Sequence, residues 1–415
     1  MEYQSFGRTG LKTSRLCLGT MILSSNGRGP WRMPGVADEA TSMAILDRYV
    51  AAGGNFIDTS NNYGESEVII GKWLSRQNLH TRRKLIISTK FASPINTISA
   101  NAAINYPNSS GSSRKHIMDA IEDSLEKLQT KYIDIYTIHF WDDATELADV
   151  IRTLHHLIHA GRIRYYAVSN YTPVQMMQLI SLCKSHQWEL PILIQSQYNL
   201  LCRTAEWELI RVCQNHGIGF LAWSPLAGGW LSNKSNDLKK TQLKQAPDNS
   251  RISFAESVHF SAWDLSTMAT NPKTWALLKV CGEVAAELKC TVSQVAIRWI
   301  FAQDVSGCIV GPRTLAHLED NILALKIKLT SQHLKMLNEV SHTAPIYPYC
   351  SFMDLTVKSP PILSEKIDKV IPASSSLMVE SSALQDLINL TTTFRPTPNR
   401  PPWMARLINQ KVYQL

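Results

Sequence analysis

The sequence lacks the patterns that identify several protein classes. Its eight cysteines are scattered over 415 residues without a Cys-x-x-Cys pair, and no tight cysteine-histidine cluster predicts a zinc site. Nowhere do about twenty apolar residues run together, as a membrane-spanning helix requires, and the first residues contain no apolar signal core. These absences predict reduced, mostly structural cysteines, no bound metal, and a soluble, cytoplasmic protein without a membrane partner.

The chain carries a net positive charge, but its basic residues are not clustered. The formal net charge is +8, yet no Lys/Arg cluster of the nucleic-acid type occurs, and no aromatic residues are interleaved along a basic stripe. A nucleic-acid partner is therefore not expected. A phosphate-rich cofactor and a generic basic surface explain the positive charge equally well. Nothing in the sequence indicates an oligomeric state.

Short apolar runs alternate with helical patterns along most of the chain. The first buried run is RLCLGT, which ends at Gly19 and Thr20, and a predicted hairpin, YQSF to LKTS, precedes it. The later runs are 55–58, 85–90, 133–139, 164–169, 192–196, 218–223 and 307–311. Eight continuous apolar strands, each followed by a helix, predict an α/β fold, a (β/α)8 TIM barrel. The competing doubly wound sheet is disfavoured because no GxGxxG turn follows the first strand.

Chemically active residues fall at the ends of successive predicted strands. The stretch GGNFIDTSNNYG, residues 53–64, ends a strand at Asp58 and places Tyr63 in the following loop. The next two strands end at Lys90 and His139. A tyrosine needs a neighbour that stabilises its phenolate before it can act as an acid near neutral pH, and Lys90 would lower its pKa in this way. Asp58 would keep the lysine charged and in place, so the set predicts acid/base chemistry.

Ordinary explanations exist for each residue taken alone. Asp58 could cap a helix, Lys90 could be solvated and His139 could be a core histidine. The combination favours a catalytic site, because three successive strand ends carry these residues and Tyr63 lies in the first loop. The motifs GGNFIDTSNNYG, STKF and YIDIYTIHFWD resemble those of the aldo-keto reductases, in the same order from near residue 5 to about residue 345. The resemblance implies that Tyr63 protonates a carbonyl oxygen, that Lys90 and Asp58 tune it, and that His139 orients the carbonyl.

The same resemblance implies a nicotinamide site at the later strand ends. Ser169, Asn170 and Gln195 would hydrogen-bond the carboxamide, and Trp223 would stack on the ring; the ordinary alternative is that they are merely polar strand ends. The other residues predicted to contact the cofactor along this rim are Gly19, Thr20, Ser224, Leu226 and Gly229.

A second signature, IVGPRTLAHLEDNILAL at 309–325, leads from a glycine-proline turn into a helix. Free N–H groups at a helix start favour a phosphate, and an arginine offers a planar fork of donors for it. The resemblance implies that Arg313 and His317 hold the adenosine 2′-phosphate and that Asp320 and Asn321 lie near the adenine, so NADPH is favoured over NADH. The residues predicted here are Gly311, Arg313, His317, Asp320 and Asn321.

Two long loops and the tail complete the organisation. We expect loop 91–113 to shape a substrate opening and loop 224–273 to fold over the cofactor. The predicted domains are a barrel, 1–345, and a Ser/Pro-rich, largely irregular and partly disordered extension, 346–415. Three histidines on one predicted helix, His155, His156 and His159, are expected to lie on a solvated face rather than to bind a metal.

The sequence supports two function classes. The first is an NADPH-dependent oxidoreductase that reduces an aldehyde or ketone to an alcohol, with a small-molecule carbonyl substrate. The second is an NADPH-binding regulatory subunit of the same fold with little turnover, for which the unusual tail is the supporting feature. The complete set of four strand-end residues favours the enzyme, and the sequence does not select the carbonyl compound.

Overall fold

Ten strands and twelve α-helices are present in the computed structural model, which describes residues 1–25, 35–94, 107–232, 265–344 and 347. The hairpin strands are β1 (Tyr3–Ser5) and β2 (Lys12–Ser14). The remaining strands are β3 (Leu16–Gly19), β4 (Phe56–Asp58), β5 (Ile86–Phe91), β6 (Ile133–Ile138), β7 (Ile163–Ser169), β8 (Leu193–Gln197), β9 (Gly219–Trp223) and β10 (Gly307–Val310).

The strands β3 to β10 form a closed, all-parallel barrel. Each pairs with its successor in the chain, and β10 closes the ring by pairing with both β9 and β3. The hairpin pairs antiparallel, with Tyr3 opposite Ser14. The predicted (β/α)8 barrel with its N-terminal hairpin is therefore confirmed.

Helices surround the barrel and connect its strands. They are α1 (Glu39–Ala51), α2 (Ser66–Ser75), α3 (Leu79–Lys84), α4 (Arg114–Lys127), α5 (Leu147–His159), α6 (Pro173–His186), α7 (Leu209–His216), α8 (Leu265–Thr270), α9 (Pro272–Glu287), α10 (Val292–Phe301), α11 (Leu315–Leu323) and α12 (Ser331–Ser341). Three short 3₁₀ helices add Thr204–Glu206, Ala227–Gly229 and Ala324–Lys326. None of the helices in the described ranges is long and apolar enough to cross a membrane.

The apolar core has two layers because strand side chains alternate between the barrel interior and the surrounding helices. The outer layer joins the strands to the helices and is the larger one. The inner layer fills the N-terminal end of the barrel, where Phe6 of the hairpin packs edge-on against Phe56 with ring centroids 5.3 Å apart. The hairpin thus closes the end of the barrel opposite to the strand ends that carry the predicted site.

The three histidines of α5 do not share one solvated face, so that expectation is wrong for His155. Its ring is buried, packs 5.6 Å from the Trp188 ring and contacts the Glu189 carboxylate at 2.9 Å. His156 and His159 are exposed as expected. Within the described ranges no group of three or more potential ligands could hold a metal ion.

Several expectations concern residues outside the described ranges. The central parts of both long loops, 95–106 and 233–264, lie there, as does nearly all of the extension from 346. The chain divides into two units, Met1–Ser351 and Phe352–Leu415, and the second lies wholly outside the described part. The proposed boundary at 345 and the roles of both loops stay predictions.

Two helical glycines provide a matched test of the helix packing. A Cβ at Gly71 of α2 would meet the Lys127 carbonyl oxygen at 2.0 Å, whereas a Cβ at Gly282 of α9 would have nothing within 4 Å. We predict that Gly71→Ala lowers the free energy of unfolding by about 1–3 kcal/mol, since backbone must move. Gly282→Ala should raise it by up to about 1 kcal/mol through helix propensity. Urea denaturation of both variants tests this, and an unchanged midpoint for Gly71→Ala would contradict the α2–α4 contact.

Candidate active site

The inward-facing positions change character along the barrel strands. Near the N-terminal ends they are apolar and form the inner core layer: Cys17, Phe56, Ile86, Ile135, Ala167, Leu193 and Leu221. Two residues later, on the same face, stand Gly19, Asp58, Ser88, Thr137, Ser169, Gln195 and Trp223. The C-terminal end of the barrel is therefore lined by polar side chains above an apolar floor, where (β/α)8 enzymes carry their active sites.

A buried ion pair lies at the centre of this polar end. The Lys90 ammonium is 2.5 Å from Asp58 Oδ2 and 2.8 Å from the Thr59 carbonyl oxygen, and both charged side chains are 2% exposed. The other carboxylate oxygen, Oδ1, accepts hydrogen bonds from the Ser88 hydroxyl at 2.9 Å and from Gln195 Nε2 at 2.7 Å. Strands β4, β5 and β8 thus meet at one carboxylate.

Tyr63 lies between the lysine and the histidine. The Lys90 ammonium is 4.9 Å from the centroid of the Tyr63 ring, and the His139 ring meets the same ring edge-on at 5.9 Å. His139 follows β6 directly, and its backbone N–H donates to the Phe91 carbonyl at the end of β5. The structure therefore brings all four predicted acid/base residues together, whereas their individual roles stay predictions.

The environment fixes the charge states of two of these groups. Burial by itself would lower the pKa of Lys90, but Asp58 and Tyr63 outweigh it and the pKa lies above its ordinary value. Burial, and then the charge of Lys90, hold the pKa of His139 well below its usual range. A charged lysine and a neutral imidazole therefore flank Tyr63 at neutral pH.

The residues predicted for the nicotinamide lie at the ends of the following strands of the same rim, and hydrogen bonds connect them. The Asn170 amide donates to the His139 carbonyl at 3.2 Å and to Ser169 Oγ at 3.0 Å, and it accepts from the Trp223 indole at 3.0 Å. The Ser169 hydroxyl donates to the Gln195 carbonyl at 3.1 Å. The Trp223 ring is thereby held at the edge of the site.

Local contacts and backbone angles describe the remaining residues that were predicted on this rim. Gly19 has no room for a side chain, because a Cβ there would lie 2.5 Å from Ile309. Thr20 is buried and its hydroxyl donates to the Asp58 carbonyl at 2.9 Å. Ser224 and Gly229 have φ angles of 59° and 111°, and Leu226 lies between them at the start of a 3₁₀ turn. Their predicted contacts with a cofactor stay predictions.

The predicted phosphate end lies after β10. Gly311 leads to Arg313, and burial lowers the pKa of this guanidinium from its ordinary value. Helix α11 begins after Thr314, whose hydroxyl caps the N–H of His317 at 3.2 Å, and no acidic residue occupies its first turn. The His317 side chain is exposed. An arginine beside an acid-free helix N-terminus is chemistry that suits a phosphate.

The two residues predicted near the adenine are engaged within the protein. The Asp320 carboxylate accepts from the Thr291 hydroxyl at 3.0 Å and from Gln294 Nε2 at 2.8 Å, which anchors the capping box of α10. Asn321 is buried. A structural role thus accounts for Asp320, and the predicted adenine contacts of both residues stay predictions.

The donor set as a whole suits a nicotinamide dinucleotide. One end offers amide groups and an indole face beside the acid/base residues, and the other offers Arg313 and the start of α11. The two ends lie on the same side of the barrel, since both follow the C-terminal ends of parallel strands. We therefore treat this rim as the candidate cofactor site.

Known proteins resemble this chain over most of its length. Residues 15–342 match the model of the Aldo/keto reductase family. An uncharacterized oxidoreductase of Bacillus subtilis is 32% identical over 348 residues, which span 82% of this chain and 96% of that protein. The versiconal hemiacetal acetate reductase of Aspergillus parasiticus is 29% identical over 360 residues, with 84% and 99% covered. The aryl-alcohol dehydrogenase (NADP(+)) of Phanerodontia chrysosporium is 29% identical over 350 residues, with 83% and 87% covered.

These similarities and the barrel together define the class of the protein, an oxidoreductase built on a (β/α)8 barrel. The chain belongs to the aldo/keto reductase family, as its motifs predicted, because the family model covers most of its length. This membership supports carbonyl reduction in general and does not select a substrate.

Three residues of the site were missed from the sequence. Ser88 precedes Lys90 by two positions, so strand alternation could have placed it on the same inward face. Ser60 and Asn62, between Asp58 and Tyr63, form a buried hydrogen bond in which the Ser60 hydroxyl donates to the Asn62 side-chain oxygen at 2.8 Å. Because they lie in a polar loop, no sequence pattern distinguished them from ordinary loop residues. Only the closed barrel brings their loop against His139 from the end of β6.

Removing one partner of the buried pair should be costly. We predict that Lys90→Met lowers the free energy of unfolding by about 3–5 kcal/mol, because it leaves the Asp58 charge buried without its partner. The double variant Asp58→Asn/Lys90→Met should recover part of that loss. As a control, Lys335→Met breaks an exposed helical pair with Glu339 and should cost less than about 1 kcal/mol. Equal losses for Lys90→Met and Lys335→Met in chemical denaturation would contradict the buried charge.

Proposed function

We propose that this protein is an NADPH-dependent carbonyl reductase in which Tyr63 donates the proton to the carbonyl oxygen. The observation that carries the proposal is the position of Tyr63, in contact with a charged, buried Lys90 on one side and a neutral His139 on the other. A reduced nicotinamide, when bound, supplies the hydride that the carbonyl carbon requires. Proton and hydride together convert the aldehyde or ketone to an alcohol.

Each residue of the site has a defined part in this proposal. The Tyr63 hydroxyl passes its proton to the substrate oxygen, and the ammonium of Lys90 stabilises the phenolate that remains. Asp58 keeps Lys90 charged through the 2.5 Å contact. His139, uncharged because of burial, donates an N–H hydrogen bond that positions the carbonyl without competing as an acid.

The chain's own residues support the proposed preference for the phosphorylated cofactor. Arg313 and the acid-free first turn of α11 would hold the 2′-phosphate. The Ser169, Asn170 and Gln195 side chains would hold the carboxamide, with the Trp223 indole against the ring. Gln195 already donates to Asp58 through Nε2, which leaves its Oε1 to accept from a carboxamide N–H.

An aromatic carbonyl compound is the substrate class that we propose. The Phe140 ring stacks on the His139 imidazole with centroids 4.3 Å apart and planes inclined by 7°, and 47% of Phe140 is exposed. This offers an apolar aromatic surface beside the proposed hydrogen-bond donor. The name of the Phanerodontia chrysosporium relative, an aryl-alcohol dehydrogenase (NADP(+)), supports the same class.

Loss of the Tyr63 hydroxyl should abolish proton transfer and leave the cofactor site intact. We predict that Tyr63→Phe lowers kcat for aromatic aldehydes by at least about 100-fold, the usual contribution of a positioned general acid. NADPH affinity, followed by fluorescence titration, should change by less than about twofold. The matched control is Tyr165→Phe, which removes a hydroxyl from β7 beside the inner core layer. Near wild-type turnover by Tyr63→Phe on every carbonyl tested would show that Tyr63 is not the donor.

Arg313 should distinguish the two nicotinamide dinucleotides. We predict that Arg313→Met weakens NADPH binding at least about tenfold, because it removes a charge-assisted hydrogen bond of about 1.5–3 kcal/mol. NADH affinity should stay nearly constant, since that molecule lacks the 2′-phosphate. Arg298→Met, which removes a guanidinium paired with Glu2 at the hairpin, is the control. Parallel losses for NADPH and NADH would mean that Arg313 does not contact the 2′-phosphate.

A further inference from the structure

The Asp58 carboxylate has different partners on its two oxygens. Oδ2 faces the Lys90 ammonium at 2.5 Å, whereas Oδ1 accepts from the Ser88 hydroxyl at 2.9 Å and from Gln195 Nε2 at 2.7 Å. An ionised carboxylate only accepts hydrogen bonds, so both groups at Oδ1 must be donors. One oxygen is therefore bound by a charged group and the other by two neutral donors.

The register of the barrel places Ser88 at this oxygen. Ser88 of β5 is the direct neighbour of Asp58 in the parallel pairing of β4 with β5, and both side chains face the barrel interior. Ser88 is fully buried, and its backbone carbonyl accepts from the Thr59 N–H at 2.8 Å. The hydroxyl is thus fixed at Oδ1 by the same strand that carries Lys90 two residues later.

The charge of Lys90 acts on two partners at once. Burial lowers the pKa of Lys90, but Asp58 and then Tyr63 raise it above its ordinary value. The ammonium is 4.9 Å from the centroid of the Tyr63 ring. In a buried site of low dielectric, a carboxylate 2.5 Å from the ammonium offsets much of the positive potential that Lys90 exerts on Tyr63. The acidity of Tyr63 therefore depends on how much of the carboxylate charge acts on Lys90.

The neutral donors at Oδ1 reduce this offset. The positive ends of the Ser88 O–H and Gln195 N–H dipoles stabilise negative charge on Oδ1, and Lys90 contacts the other oxygen. The two donors also hold the carboxylate in a rotation that presents Oδ2 to the ammonium. Loss of the Ser88 hydroxyl would let more of the carboxylate charge act on Lys90 and Tyr63. Both effects have the same sign, because each makes a phenolate at Tyr63 less stable.

We infer that Ser88 is a positioning residue that strengthens Tyr63 as an acid, acting through Asp58 and Lys90. This inference rests on the proposed role of Tyr63 in carbonyl reduction. It adds to the Asp58–Lys90 pair a neutral group that sets how much of the lysine charge reaches Tyr63. A purely structural Ser88 would stabilise the buried pair without altering the ionisation of Tyr63.

The ionisation of Tyr63 can be followed in the cofactor-free protein by carbon-13 NMR of protein labelled at the tyrosine Cζ, with Tyr63→Phe used to assign the signal. Ser88→Ala should move the midpoint of the Tyr63 titration upward by about half to one pH unit, the equivalent of one hydrogen bond. Ser88→Thr, which keeps the hydroxyl, should titrate close to the wild type.

A second variant tests the same oxygen from another strand. Gln195→Met removes the other neutral donor at Oδ1 and should shift the Tyr63 midpoint in the same direction, so it provides the NMR test if Ser88→Ala does not fold. His139, the third titratable side chain beside Tyr63, stays neutral during this titration, because burial and then Lys90 hold its pKa well below its usual range.

The pH dependence of turnover provides the second readout. Carbonyl reduction needs the protonated phenol, so its rate falls as the pH rises through the ionisation of Tyr63, and Ser88→Ala should move this fall to higher pH. The reverse reaction, alcohol oxidation, needs the phenolate, so its kcat near pH 7 should fall about three- to tenfold. Gly71→Ala is the control, because it should weaken the fold at the α2–α4 contact and leave both pH profiles unchanged.

The outcomes separate this inference from the proposed function. If Ser88→Ala leaves the Tyr63 midpoint and both pH profiles unchanged while turnover persists, or moves the midpoint to lower pH, the inference is wrong. If the wild type shows no carbonyl turnover but Ser88→Ala still raises the Tyr63 midpoint, the proposed reaction is wrong and the action of Ser88 on Tyr63 is supported.

Discussion

The buried contact between Asp58 and Lys90 constrains the whole polar end of the barrel. Two charges removed from water are tolerated only when they are paired and their remaining hydrogen-bonding capacity is satisfied. Ser88, the Thr59 carbonyl and Gln195 supply those partners from three different strands and loops. The pair is therefore stable only in the closed barrel, and the closed barrel in turn fixes the ammonium beside Tyr63.

This arrangement links the acid/base groups to the groups that would hold the cofactor. Gln195 of β8 bonds directly to Asp58, while Asn170 bonds to the His139 carbonyl and accepts from the Trp223 indole. The two halves of the site thus share backbone and side-chain hydrogen bonds. A substitution in either half should therefore alter the geometry of the other half through these hydrogen bonds.

Much of this organisation could be predicted from the sequence, because parallel strands are read as apolar runs and their ends meet on one rim. This pattern of runs predicted the barrel and placed Asp58, Lys90 and His139 close together, and the structure confirms both. It did not predict the contact between Gln195 and Asp58, since β4 and β8 meet only across the closed barrel. His155 was misjudged because the groups that bury it, Trp188 and Glu189, come from the segment after the next helix.

The most direct test of the account is the fate of the hydride. The purified protein would be incubated with an aromatic aldehyde and NADPH carrying deuterium at both positions of nicotinamide C4, and the alcohol analysed by mass spectrometry. The account predicts one deuterium on the carbinol carbon, with one NADPH consumed for each alcohol formed. NADPH binding without alcohol formation across a broad panel of carbonyl compounds, or an alcohol without deuterium, would contradict it.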